Sequence, residues 1–290
     1  MQRVFDIVTD SGCDLPKEYY EEHNISCVPL GFMMDGENYE GVDGKPILVQ
    51  DFYAKLREGY MPTTYQVTAE TAKPFIQKSL QAGKDVLVLT FSSGLSGTSE
   101  SFKMAAKELL ESYPNRKIRV VDSLSASMGQ GLLLDYIVKK ADSGAGLEEV
   151  AKYAEDLKLH ICHYFTVDNL FHLKRGGRCS SASAIIGSIL KIKPILYVDN
   201  AGKLIVIGKA MGRKKSIFTL IEKLFDGGDM GEEDPIFISH GDCIEDVEYA
   251  ISLIRERKPD AKITVSYVGA VIGAHSGPGT LAVFGKGKTR

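Results

Sequence analysis

No stretch of this 290-residue chain is apolar and uncharged for long enough to span a bilayer, and its amino terminus runs into a strand-like segment, Val4-Phe5-Asp6, where a signal peptide has an apolar core. A cytoplasmic protein without a membrane span is expected. Cysteine is scarce: Cys13, Cys27, Cys162, Cys179 and Cys243 are an odd number, widely scattered and without a C-x-x-C pair, which argues against a disulfide framework. Reduced, mostly structural thiols are expected. Positive charge is not in excess either, since the formal net charge is -3, so no broad field attracts DNA or RNA and nucleic acid is not the expected partner.

Several catalytic signatures are also missing. The G-x-x-x-x-G-K-[ST] loop that places a lysine on nucleotide phosphates is absent. Ser93, Ser96 and Ser276 all lack the flanking glycines of a G-x-S-x-G nucleophile elbow. His160, Cys162, His163, His172 and Cys179 crowd one stretch but match no zinc spacing, so structural roles are expected for them. No metal or cofactor is expected.

What is present is an ordinary globular composition, 44% hydrophobic and 25% charged, in a chain long enough for two domains. Short apolar runs alternate with segments of helical period, the pattern of an α/β fold with a largely parallel sheet. Strands are expected at Val4 to Val8, Val86 to Leu89, Ile118 to Val121, Ile236 to Ile238 and Ile263 to Val268. Helical stripes run through Phe102, Ala105, Ala106 and Leu109, and through Ile217, Leu220, Ile221 and Leu224. A break around Ser143-Gly144-Ala145-Gly146 approaches a boundary near residue 160, dividing an amino-terminal domain, 1–160, from a smaller α/β domain, 161–290.

The segments after the strands carry the functional signal. They read Thr9-Asp10-Ser11-Gly12, Ser92-Ser93-Gly94-Leu95-Ser96-Gly97-Thr98, Asp122-Ser123, Ser239-His240-Gly241 and, further on, His275-Ser276-Gly277-Pro278-Gly279. In a parallel sheet such loops open on the carboxyl edge, where α/β proteins bind ligands. The Ser92–Thr98 loop precedes a helix, so its N–H groups and hydroxyls suit an anion. A single cap would account for one of its hydroxyls, not all of them. Two basic groups, Lys174-Arg175-Gly176-Gly177-Arg178 and Lys209 to Lys215, are either solvated faces or docking surfaces for an acidic partner.

In this order the segments resemble the DegV family of lipid-binding proteins. The resemblance is carried by Val8-Thr9-Asp10-Ser11 with Asp14-Leu15-Pro16, Val28-Pro29-Leu30, Pro62-Thr63-Thr64-Tyr65-Gln66, Ser93-Gly94-Leu95-Ser96-Gly97-Thr98, Val121-Asp122-Ser123, Gly176-Gly177-Arg178, Ile192-Lys193-Pro194-Ile195-Leu196 and Gly273 to Gly279. It implies a two-domain α/β fold holding one long-chain fatty acid between the domains. Contacts to the carboxylate would come from Thr63 or Thr64, Ser93 or Ser96, and His275 with Ser276, supported by Gln66, Gly94, Gly97 and Gly277. It further implies a non-catalytic protein that presents the fatty acid to a separate ATP-dependent fatty acid kinase subunit for acyl-phosphate formation and phospholipid synthesis, with Arg175, Arg178, Arg213 and Lys214 as candidate docking residues.

Two positions depart from the family pattern: Tyr65 stands where serine is usual, and Met211 where an arginine is frequent. A carboxylate beside His275 would raise its pKa and favour the cation. Ile185, Ile186, Ile189, Leu190 and Ile192 are a candidate tunnel wall or ordinary core. The alternative function is a serine esterase or acyltransferase with Ser93 as nucleophile and His275 as base.

Overall fold

A computed structural model describes residues 3–179, 191–227 and 230–290. Strands β1 (Phe5–Asp10), β2 (Ile25–Val28), β6 (Asp85–Thr90) and β7 (Ile118–Asp122) form a four-stranded sheet in the order β2-β1-β6-β7, parallel throughout. Both of its faces are covered, so its central strands are apolar on both sides instead of alternating with polar positions. Ile7, Leu87 and Leu89 belong to one core; Val8, Val86 and Val88 belong to the other, beside Ile76, Phe102 and Ala105 of α3 (Ala69–Gln81) and α4 (Thr98–Ser112).

The opposite face receives α5 (Met128–Asp142) and α6 (Leu147–Leu157). Helix α5 is buried on almost every side, including Leu132, Leu133, Leu134, Ile137 and Val138, because a second sheet closes over it. That sheet contains β8 (Ile161–Thr166), β9 (Ile192–Val198), β10 (Leu204–Met211), β11 (Ile236–His240), β12 (Ile263–Tyr267) and β13 (Leu281–Lys286), ordered β10-β9-β8-β13-β11-β12. Only its β11–β12 pair is parallel. One continuous core joins Ile7 and Leu89 of the first sheet, through α5, to Phe165, Leu196 and Phe284 of the second.

The expected strands at residues 86–89, 118–121 and 236–238 lie within β6, β7 and β11; the first and last expected strands coincide with β1 and β12 except at their ends. The two striped helices are α4 and α8 (Arg213–Asp226). The antiparallel strands β8, β9, β10 and β13 were not among those expected. Lys193 and Pro194 interrupt the apolar run of β9, and most of β10 is at least partly exposed, so neither gives a simple alternation.

A third, small antiparallel sheet holds β3 (Gly31–Met34), β4 (Glu37–Glu40) and β5 (Thr63–Tyr65) in the order β4-β3-β5. Phe32 packs there against Phe52 and Tyr53 of α2 (Val49–Arg57) and against Ala274 of α10 (Ala270–Ser276). This contact brings a carboxyl-terminal helix onto an amino-terminal sheet. The two parts of the chain meet again where Ser92 donates to the Gly202 carbonyl at 2.8 Å. A Cβ on Gly94 would overlap the Ala201 carbonyl, so glycine is what permits this approach.

Candidate functional site

The site is organised by a carboxylate at the end of β1. Asp10 is fully buried; its Oδ1 accepts from Gly12 N–H at 3.0 Å and Gln130 Nε2 at 3.3 Å, and its Oδ2 accepts from Phe91 N–H at 2.7 Å. These bonds join the end of β1, the loop after β6 and helix α5. Burial nevertheless pushes the Asp10 pKa up to about 6. Beside this knot lies a cavity of about 370 Å³ lined by Phe91 of the loop after β6, by β5 and by strands of the second sheet, within the roughly 300–1,000 Å³ range of small-molecule sites.

The cavity is mostly apolar inside. Phe91, Phe165, Val198, Val268 and Phe284 contribute to its wall. Its polar rim is assembled from several elements. Strand β5 supplies Thr64, which bonds through Oγ1 to Nε2 of His275 on α10 at 2.7 Å. The His275 ring fits beside Gly176 at the end of α7 (Phe171–Gly176), where any Cβ would overlap Nδ1. Arg175 fastens the same corner by donating to the carbonyls of Pro62 at 3.2 Å and Ala274 at 2.9 Å. Arg178 donates to the Gly176 carbonyl at 2.6 Å and to that of Leu95 at 3.3 Å, and also lines the cavity.

Burial, with the nearby Arg178 and Arg175 charges adding to it, lowers the His275 pKa to about 4. His275 is therefore a neutral imidazole at neutral pH in this arrangement. His275 Nδ1 and Ser276 Oγ are buried and have no hydrogen-bond partner among the described residues.

Of the paired candidates, Thr64 and Ser96 line the cavity, as do Gln66, His275 and Ser276. Thr63 and Ser93 are exposed and are not part of the lining. The hydroxyl-rich loop divides its labour: Ser92 holds Gly202, Ser93 N–H donates to Asp122, and Ser96 bonds Thr98 at 2.9 Å. Gly97, the N-cap of α4, makes room for Gln66, and Gly277 has φ +83° and packs over His172. A Ser93–His275 hydrolytic pair is not assembled, because His275 Nε2 faces Thr64 while Ser93 lies outside the lining.

Arg213 is also differently placed from the docking role expected of it. It is engaged with Asp246 Oδ2 at 2.8 Å and the Gly279 carbonyl at 2.6 Å, leaving its side chain only 17% exposed. Lys214 remains exposed, its ammonium 5.6 Å from the Tyr249 ring centre. Tyr65 lies across Gly31 and Gly41, both of which lack the Cβ that its ring would strike, and it forms part of the cavity wall. Met211 is exposed. Ile185, Ile186, Ile189 and Leu190 lie outside the described residues; Ile192 begins β9 and is half-buried.

Sequence reasoning passed over two of the inner polar groups, His163 and Ser127, and named Ser239 only as part of a strand-end segment. His163, set aside with the other His and Cys residues, lines the cavity, as do Ser127 and Ser239. Ser127 Oγ is 2.5 Å from Asp14 Oδ2 and 2.9 Å from Ser239 Oγ. The available signal was Ser239 at a strand end and serine at 127 just before α5. No group of three metal-ligating side chains occurs among the described residues, and no helix among them is long and apolar enough to cross a membrane.

The model of the family described as "Uncharacterised protein, DegV family" matches residues 4–286. The chain belongs to the DegV family. A family member from Clostridium perfringens, a DegV domain-containing protein, is 45% identical over 99% of both chains. Among solved DegV structures, a protein from Thermus thermophilus described for its fatty acid binding has a TM-score of 0.88 and 29% identity, covering 99% of this chain and 100% of its own. DegV of Bacillus subtilis, described as a fatty acid binding protein, has a TM-score of 0.84 and 31% identity with the same coverage. A stearic acid-binding protein from Eubacterium ventriosum has a TM-score of 0.86 and 28% identity, covering 97% of this chain and 98% of its own.

Burial pushes the Asp14 pKa up to about 7, despite the Ser127 hydroxyl and the Gly269 N–H beside it. Between the ordinary carboxylate pKa and that value, the folded state binds more protons than the unfolded state, so this group lowers stability as pH rises through the window. Asp14→Asn should remove that loss. The variant-minus-wild-type difference in unfolding free energy, measured by urea titration, should favour the variant more at about pH 8 than at about pH 5, by at least about 1 kcal/mol.

Proposed function

We propose that this protein is a non-catalytic carrier that holds one long-chain fatty acid between residues 1–160 and 161–290. The observation that carries the reading is an apolar cavity whose rim gathers a guanidinium, hydroxyls and a histidine around the same opening. Burying methylenes contributes about 0.8 kcal/mol each, so a tail with roughly fourteen of them gains on the order of 11 kcal/mol before ordering costs. The carboxylate needs partners when it leaves water. Thr64, Ser96, Ser276, His275 and Arg178 are the partners we assign to it. The solved relatives whose descriptions name fatty acids support the same ligand class.

The polarity of the cavity also supports a direction. Arg178 is at the rim, whereas Asp14 stands behind Ser127 at the inner wall. A carboxylate turned inward would meet a buried acid; turned outward, it meets a guanidinium. In that orientation the reactive oxygen lies towards the surface, which suits presentation to a separate ATP-dependent fatty acid kinase subunit. Lys174, Lys214 and the exposed side of Arg178 are the cationic groups nearest to such a docking role on this reading.

Native mass spectrometry and solvent extraction of the purified protein should reveal one fatty acid per chain, and Thr64→Ala should weaken palmitate binding about tenfold, the loss of one net hydrogen bond. A protein that carries none and binds no added fatty acid refutes the carrier reading.

A ligand carboxylate beside His275 raises the imidazole pKa from about 4. Binding should therefore take up protons at about pH 5, a pH above the unliganded pKa and within reach of the raised one. Calorimetry in two buffers with different ionisation heats should detect this uptake, and His275→Asn should abolish it. Mixed with a fatty acid kinase subunit and ATP, the loaded protein should support acyl-phosphate formation; failure with several such kinases removes the presentation role and leaves fatty acid binding intact.

A further inference from the structure

The six-stranded sheet ends in two unlike edges. At one, β10 carries a register shift between Val206 and Gly208 and an exposed Lys209, both of which discourage a further strand from pairing there. At the other, β12 reads Ile263-Thr264-Val265-Ser266-Tyr267, without charge, proline or glycine, and its register with β11 is unbroken. Every residue of it is partly exposed. This strand has none of the devices that blunt an edge.

The bonds at the two ends of its ladder fix the direction of its backbone groups. Ile236 N–H donates to the Lys262 carbonyl at 2.9 Å, and Val268 N–H donates to the His240 carbonyl at 2.8 Å. Because Ile236 stands opposite Ile263 and the parallel register continues to His240 opposite Tyr267, residues 262, 264, 266 and 268 turn their N–H and C=O groups to β11. Alternation turns those of Ile263, Val265 and Tyr267 the other way. These outward groups have no hydrogen-bond partner among the described residues.

Three such residues centred on Val265 are complementary to a second copy of themselves. In an antiparallel pair about a two-fold axis, Val265 exchanges both of its bonds with the partner's Val265, and Ile263 exchanges both with the partner's Tyr267. Every outward group is then satisfied and none is left over. The side chains agree, since a β-branched residue meets an aromatic one at each end. Lys262 falls level with the partner's Val268, so the pairing sets no like charges opposite each other. We infer that two copies of this protein associate through β12, antiparallel about an axis at Val265, and join their six-stranded sheets into one. The inference does not depend on the ligand, because Val265 is not part of the cavity lining.

Analytical ultracentrifugation of the full chain at about 0.1 mM, well above a micromolar dissociation constant, should show a species of two chains that dissociates on dilution. Amide exchange followed by NMR should find Ile263, Val265 and Tyr267 protected in that dimer, whereas Thr264 and Ser266 are protected by β11 in either state. Val265→Pro removes one outward N–H and no bond to β11, so it should yield a monomer in which Ile263 and Tyr267 exchange freely, with palmitate binding at the wild-type level. Thr264→Lys keeps every backbone group and sets an ammonium on the edge; it serves the same purpose should the proline variant fail to fold. A single chain at that concentration, a dimer whose three outward amides exchange freely, or a dimer undiminished by the substitution overturns the pairing.

Discussion

The buried carboxylate of Asp10 holds together three segments that surround the cavity. Its oxygens accept from the turn after β1, the loop after β6 and the side chain of Gln130 on α5, so the strand ends are fixed relative to a helix packed against both large sheets. Such a group is expensive to bury and is kept in place by its donors. Once it is placed, Phe91 becomes part of the cavity wall and the Ser92 hydroxyl is directed to Gly202 across the junction. The loop that resembles an anion cradle in sequence is thus partly a joint. Two of its serines, Ser92 and Ser93, serve the scaffold or solvent, and Ser96 alone of the three lines the cavity.

The second organising feature is a gradient of hydrogen-bonding character. The rim carries groups that donate or can be made to donate: Arg178, Thr64, His275 and Ser276. The interior carries acceptors, with Asp14 behind Ser127 and the free lone pair on His163. An apolar tube alone would bind a fatty acid in either direction. On the carrier function proposed above, this difference between the ends, more than cavity volume, orients the ligand.

Much of the first sheet was legible because β1, β6 and β7 are compact apolar runs separated by helices with clear stripes. The second sheet was less legible, since it is largely antiparallel and its strands carry Lys193, Pro194, Gly208 and Lys209 inside their spans. At the site, the hydroxyl-rich segments identified the rim, and the structure distinguishes Thr64 from Thr63 and Ser96 from Ser93 by burial. No local pattern could mark His163 as part of the cavity, because its significance depends on β13 pairing with β8 and on Gly129 from a distant helix. Arg213 was misread for the opposite reason: its surroundings in sequence look like an exposed basic run, while in space Asp246 and Gly279 engage it. Glycine next to arginine had a similar double meaning, since Gly176 serves the His275 ring.

The position of β13 between β8 and β11 has a consequence for biosynthesis. Ribosomes deliver α5 more than a hundred residues before β13, so the leucine-rich side of that helix must wait without its native cover while the intervening chain is made. The second sheet remains split until residues 281–286 emerge and join its two parts. The cavity therefore lacks the wall formed by Ala282 and Phe284 in the growing polypeptide until that strand has been made.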